Sequence, residues 1–166
     1  MTDHLMLDRE LLHRYDVTGP RYTSYPTAAQ FTEAFNEKRY RQRVQWGNED
    51  PMPRPLSLYV HVPFCRTVCF YCACNKVITA NYRRAERYLD RLIQELDLQA
   101  ALFDDDRLVE QLHLGGGTPT YFSDDDLARL IEAIGQRFPL APPEQREFSI
   151  EIDPRTVDRE RVANLA

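Results

Sequence analysis

Apolar residues fall along this chain in short runs and helical stripes, in an order that predicts alternating strands and helices. Leu56–Val62 is rich in apolar, aromatic and β-branched residues and reads as a strand. Ala85, Tyr88, Leu89, Leu92, Ile93, Leu96 and Phe103 share one helical face, which predicts an amphipathic helix over about 82–102. Val109–Leu114 reads as a second strand, ended by Gly115, Gly116 and Gly117. Ser123 is the expected N-cap of the next helix, with Asp126 as its capping-box partner and Leu127, Leu130, Ile131, Ile134 and Phe138 as its apolar stripe. Phe148–Ile152 is a third strand, and Thr156 is the expected cap of a helix running into Ala166.

Ahead of these units the pattern is weaker. A short helix is expected at about 8–15, then a turn-rich stretch from Gly19 to Thr27, where Pro20 and Pro26 disfavour helix. A further helix is expected over 34–46, with Phe35 and Val44 among its apolar positions. Pro51, Pro53 and Pro55 punctuate the chain and divide it into an N-terminal, mostly helical extension at 1–55 and a core domain at 56–166. Three strand–helix repeats predict an α/β fold: a parallel sheet with right-handed crossovers, part of a TIM-like (β/α) barrel. Three units do not close a barrel, and the last helix stops without a C-cap glycine, so the chain reads as truncated within its domain. In such sheets ligands gather at the C-terminal strand ends. Here those ends carry a cysteine loop, the glycine triplet and Glu151-Ile152-Asp153.

Bulk properties narrow the field. The 166 residues suffice for one domain with a core, and the net charge of −5 argues against a nucleic-acid binder. The first ten residues are too polar for a signal peptide, and no apolar run is long enough to span a bilayer, so the expected location is cytoplasmic. All four cysteines lie between Cys65 and Cys74, a clustering unlike a disulfide framework and suited to a metal site in a reducing compartment.

Cys65, Cys69 and Cys72 form a C-x3-C-x2-C run directly after the first strand. Three thiolates can hold three irons of a cubane cluster and leave the fourth open for chemistry. Zinc would need a fourth ligand, from Cys74 or a histidine such as His61, and structural zinc sites usually pair C-x2-C knuckles far apart in sequence. No second pair lies downstream, which favours the 4Fe-4S cluster, with Cys74 a bystander. His61 and His113 read as satisfied strand residues, and His61 is kept as a weak candidate for substrate or cofactor contact. Arg21 and Arg155 could pair with carboxylates, though both read more readily as structural.

The motif, with Tyr71 just before its third cysteine, resembles that of the radical S-adenosylmethionine (SAM) superfamily. Gly19–Ala28, Tyr59–Cys65, Cys72–Asn75, Gly115–Tyr121 and Ser149–Arg155 together resemble the oxygen-independent coproporphyrinogen III oxidase (dehydrogenase) family of heme biosynthesis, across nearly the whole chain and in the expected order. That resemblance implies a 4Fe-4S cluster on Cys65, Cys69 and Cys72, with S-adenosyl-L-methionine on the open iron and two molecules of it in full-length members. Cleavage of the sulfonium would give a 5′-deoxyadenosyl radical that takes hydrogen from propionate side chains. Coproporphyrinogen III would be converted to protoporphyrinogen IX, with an electron donor and an electron acceptor as partners.

The same resemblance implies roles for single residues. Gly116, Tyr59 and Glu151 would contact the first SAM, the last through ribose hydroxyls. Gly117 and Thr118 would contact a second SAM, and the backbone of Tyr71 would contact adenine. Without the resemblance, the glycines read as a tight turn, Tyr59 as a core tyrosine and Glu151 as a solvated side chain. Two other classes stand beside this one. The heme-chaperone relatives bind heme without decarboxylation, but they typically carry phenylalanine where this chain has Cys74, and they lack a segment like Pro20–Thr27. A bare iron–sulfur electron carrier would have no use for an open iron. Full-length members continue well beyond three strand–helix units, so the 166 residues alone are expected to have little or no turnover.

Overall fold

The computed structural model describes residues 8–16, 27–70 and 72–165. The chain divides into two compact units, residues 1–36 and 37–166. In the first unit, α1 spans Arg9–Tyr15, and the Asp8 carboxylate caps it by accepting from the backbone N–H groups of Glu10 and Leu11 at 2.9 and 3.1 Å. A single 3-10 turn is formed by Ala28–Gln30. The turn-rich stretch expected from Gly19 lies, up to Pro26, outside the described residues, and Arg21 with it.

The second unit begins at α2, Glu37–Asn48, three residues after the expected helix start, so the break between units comes earlier than the proline punctuation suggests. Side-chain bonds tie α2 to residues about fifty positions further along the chain. Tyr40 Oη donates to Gln99 Oε1 at 2.5 Å, and Asn48 Nδ2 donates to the Leu102 carbonyl at 2.9 Å. Arg107, 8 % exposed, donates from Nε to the Arg54 carbonyl at 2.6 Å. A buried guanidinium is tolerable only with such partners.

The central sheet is parallel, in the order β1 (Leu56–Val62), β4 (Val109–Gly116), β5 (Glu147–Ile150). Its register sets Tyr59 against His113, and His113 against Ser149. Between β1 and β4 lie β2 (Phe64–Cys65), β3 (Val77–Ile78) and α3 (Arg83–Ala100). After β4 comes α4, Asp124–Gly135, and after β5 comes α5, Arg159–Asn164. One sheet face, with Val60, Val62, Leu112 and Leu114, packs with Ala85, Leu89 and Leu96 of α3 and with Leu127, Leu130 and Ile134 of α4 into a single core. Successive strand residues face opposite ways, so Tyr59, His61, His113 and Ser149 line the other face, and Tyr59 is 59 % exposed.

Three expectations need correction. The third strand ends at Ile150, not Ile152, although Glu151 N–H still donates to the Leu114 carbonyl at 2.9 Å. The last helix is capped by Asp158, whose carboxylate accepts from Arg161 N–H at 2.8 Å; Thr156 instead donates its hydroxyl to the Asp153 carbonyl at 3.0 Å, closing the preceding turn. The capping box at Ser123 is half formed. Ser123 Oγ accepts from Asp126 N–H at 3.2 Å, but the return bond passes through Tyr82. Its hydroxyl accepts from Ser123 N–H at 2.8 Å and donates to the Asp126 carboxylate.

Candidate cluster and cofactor site

The cysteine loop is closed at its base by two short parallel strands. β2 pairs with β3, matching Cys65 with Ile78, so both ends of the loop start from paired backbone. Hydrogen bonds from Val77 N–H to the Pro63 carbonyl (2.7 Å) and from Thr79 N–H to the Cys65 carbonyl (3.0 Å) close it. His61 supplies a third tie. Its Nε2 lies 2.9 Å from the Asn75 carbonyl, an acceptor only, so Nε2 carries the proton. Nδ1 is then the acceptor for the Tyr59 hydroxyl at 3.0 Å.

Cys65, Cys69 and Cys72 line one cavity of about 510 Å³, shared with Gly117, Thr118, Glu151, Asp153 and Arg155. The volume is that of an ordinary small-molecule site. All four cysteines are free thiols, with Cys65 buried and Cys74 exposed. Thr118 Oγ1 lies 3.5 Å from Cys65 Sγ, and Arg155 Nη2 lies 3.3 Å from Cys69 Sγ. The Cys74 backbone N–H beside Cys72 holds its thiol below the ordinary range, whereas desolvation and the neighbouring Cys72 push the Cys74 thiol up. Among the described residues no three His, Cys, Asp or Glu side chains are gathered as a single-metal site. The donor set of three thiols around a roomy cavity, with Cys72 eased toward thiolate, fits an iron–sulfur cluster.

Glu151 reaches this cavity from the end of β5. Its Oε2 accepts from Gly116 N–H at 3.0 Å, and its Oε1 lies 3.4 Å from His113 Nε2. A carboxylate so held still has lone pairs for hydroxyl donors. The glycine triplet answers first to the chain's own atoms. Gly116 has φ of 113°, a conformation L side chains rarely adopt, and an added Cβ would lie 2.6 Å from the His61 ring. At Gly117 a Cβ would lie 2.7 Å from the Pro63 carbonyl. Gly117 N–H is already engaged by the Val62 carbonyl at 2.8 Å, and Thr118 N–H by that of Phe64 at 2.9 Å.

Of the residues singled out from sequence, the three cysteines, Gly117, Thr118 and Glu151 share the cavity. Gly116 adjoins it through its bond to Glu151. Tyr59 sits apart on the open sheet face, its ring 5.8 Å from that of His113 and stacked on it. Burial, and then Glu151 and Cys74, push its hydroxyl above the ordinary range. Tyr71 lies outside the described residues. Arg155, read from sequence as structural or as a carboxylate partner, pairs with the Asp153 carboxylate and also meets a cysteine sulfur. The Asp-Pro-Arg turn after a strand was the available signal, but no spacing rule joins it to a loop 86 residues away.

The profile of the Radical SAM superfamily matches residues 59–166. Oxygen-independent coproporphyrinogen III oxidase of Pseudomonas aeruginosa is 44 % identical over 158 residues, covering 95 % of this chain and 34 % of that protein. The protein of the same name from Mannheimia haemolytica is 45 % identical over 151 residues, covering 90 % of this chain and 98 % of its own length. A solved structure of coproporphyrinogen III oxidase from Escherichia coli, described as a radical SAM enzyme, superposes with a TM-score of 0.76 at 42 % identity, covering 94 % of this chain and 33 % of that one. The chain thus spans about a third of the length of the Pseudomonas and Escherichia proteins. Among the described residues no helix is long and apolar enough to cross a membrane.

Proposed function

Since the chain belongs to the radical SAM superfamily, we propose that it carries the cluster-binding part of an oxygen-independent coproporphyrinogen III oxidase. The reaction would be oxidative decarboxylation of two propionate side chains of coproporphyrinogen III to vinyl groups, in heme biosynthesis. The observation that supports it most is the convergence of Cys65, Cys69, Cys72, Glu151 and Gly117 on one cavity at the strand ends. The names of the relatives support the substrate. The cluster, when bound, would supply the electron that cleaves the sulfonium of S-adenosyl-L-methionine; an external donor would feed it, and an acceptor would take the electron left by each decarboxylation.

Each residue has a separate task. Cys65, Cys69 and Cys72 would hold three irons, while Cys74, exposed on the loop, stays outside that set. Thr118 orients Cys65 Sγ, and Gly117 and Thr118 present a wall that a second SAM can approach. Glu151 accepts ribose hydroxyls of the first SAM, braced by Gly116 N–H. Tyr59 and His61 hold the loop to β1 and offer that SAM a hydroxyl on the open face.

Anaerobic reconstitution with iron and sulfide tests this. Wild type and Cys74→Ala should take up the cluster; Cys65→Ala, Cys69→Ala and Cys72→Ala should not. With reductant and S-adenosyl-L-methionine, the loaded protein should release 5′-deoxyadenosine. Bound zinc, or a cluster whose every iron has a protein ligand, would overturn the proposal.

A further inference from the structure

Arg155 and Asp153 form a device the proposed reaction does not yet use. The Asp153 carboxylate accepts from Arg155 Nε at 2.9 Å, from Nη2 at 2.8 Å and from Arg155 backbone N–H at 3.0 Å. The turn that carries them is closed by Thr156 N–H to the Asp153 carbonyl at 2.9 Å, and Pro154 between them fixes φ. The Asp153 side chain is partly buried, 14 % exposed against 54 % for Arg155. A flexible surface pair contributes little, but this guanidinium is clamped by a fork it cannot leave without losing the bonds from both Nε and Nη2. The clamp aims Nη2 at Cys69 Sγ, 3.3 Å away.

We propose that Arg155 tunes the cluster, donating a charge-assisted hydrogen bond to Cys69 Sγ, with Asp153 as the residue that positions it. Reduction adds one negative charge to the cluster, shared by its sulfurs. A donor and a positive charge at one sulfur stabilise the reduced form more than the oxidised form, which raises the reduction potential. Asp153 offsets part of the charge and shares Nη2 with the sulfur, but that nitrogen carries two N–H groups, and one remains for Cys69 Sγ. This inference rests on the assignment of the cluster to Cys65, Cys69 and Cys72.

The test is an EPR-monitored redox titration of the reconstituted full chain, without S-adenosyl-L-methionine, comparing wild type, Arg155→Met and Arg155→Lys. In Arg155→Met the ratio of reduced to oxidised cluster at a fixed potential should fall about tenfold, a downward shift of about 59 mV for a one-electron couple. Arg155→Lys keeps the charge without the fork and should fall in between. Unchanged potentials in both variants overturn the inference and mean that Arg155 acts elsewhere, for instance on a ligand carboxylate. Should Arg155→Met fail to load a cluster, Arg155→Lys decides: a potential below wild type supports the inference, and one at or above wild type overturns it. If wild type itself takes up no cluster, it is the cluster assignment that fails, so the two failures are distinguishable.

Discussion

Each glycine of the triplet meets a different neighbour, and the neighbours differ in how far they can yield. At Gly115 an added Cβ would meet the tip of the half-buried His113 ring at 2.9 Å, a side chain able to rotate. At Gly117 it would meet the Pro63 and Phe64 carbonyls, which belong to the sheet and the loop base. At Gly116 both the positive φ and the His61 ring oppose it. Gly115→Ala is therefore expected to cost less than about 1 kcal/mol, and Gly116→Ala and Gly117→Ala about 1–3 kcal/mol each. Denaturant midpoints check this, and equal costs at all three positions would refute the packing account. From sequence, a glycine run after a strand reads as a turn or a ligand cradle with nothing to decide between them. The deciding atoms, in His61 of β1 and in Pro63 just after it, are brought into contact only by the strand register.

The helix α4 begins at a cap of mixed origin. Ser123 accepts locally from Asp126, but the return bond runs through Tyr82, from just ahead of α3. Tyr82→Phe leaves the Ser123 N–H and the Asp126 carboxylate without that partner and should cost about 1–3 kcal/mol. Ser123→Ala should cost about 1 kcal/mol. Both act on one helix start, so the double variant should lose less than the sum, as a double-mutant cycle would read. Burial first, and then the Asp126 hydrogen bond, raise the Tyr82 pKa. A group whose folded pKa is raised gives stability that is full below its unfolded pKa, near 10, and is lost as pH rises through the folded value. Stability should therefore decline in strong alkali, less steeply in Tyr82→Phe; a slope identical in the two proteins would contradict the relay. The helices and three main strands were legible because burial repeats with their periods: Leu56–Val62 and the α3 stripe from Ala85 to Leu96 lie where the pattern puts them, while Phe103 falls beyond the helix end. Two-residue strands have no period, so β2 and β3, which close the cysteine loop, were not legible. Thr156 and Asp158 are both residue types that cap helices well, and the choice between them depends on the Asp153 carbonyl.

Taken by itself, the second unit is a sheet that its own described residues cover on one face and leave open on the other. Helices α3 and α4 bury the side with Val62, Leu112 and Leu114. The opposite side presents Tyr59, His61, His113, Ser149 and Glu151 toward solvent, and among the described residues β5 is paired on one side only. A bound small molecule usually loses most of its accessible surface to its pocket, and the substrate proposed above, a porphyrinogen, could not do so against three strands. Radical chemistry also requires that water and reactive side chains be kept from the reacting carbon. These residues can supply the thiolates, from the cysteine loop, and Glu151, from the end of β5, but not the far wall of a substrate chamber. The 166-residue chain, reconstituted alone, should bind iron and sulfide through Cys65, Cys69 and Cys72 yet form vinyl product at least about 10²-fold more slowly than the threefold longer relatives, as expected when a substrate is not held in place. Parallel assays of porphyrin product and 5′-deoxyadenosine separate the two halves of this expectation. Conversion by the short chain at the rate of its longer relatives would mean that the open face closes in some way, by self-association for example, and sedimentation of the loaded protein with substrate would reveal it.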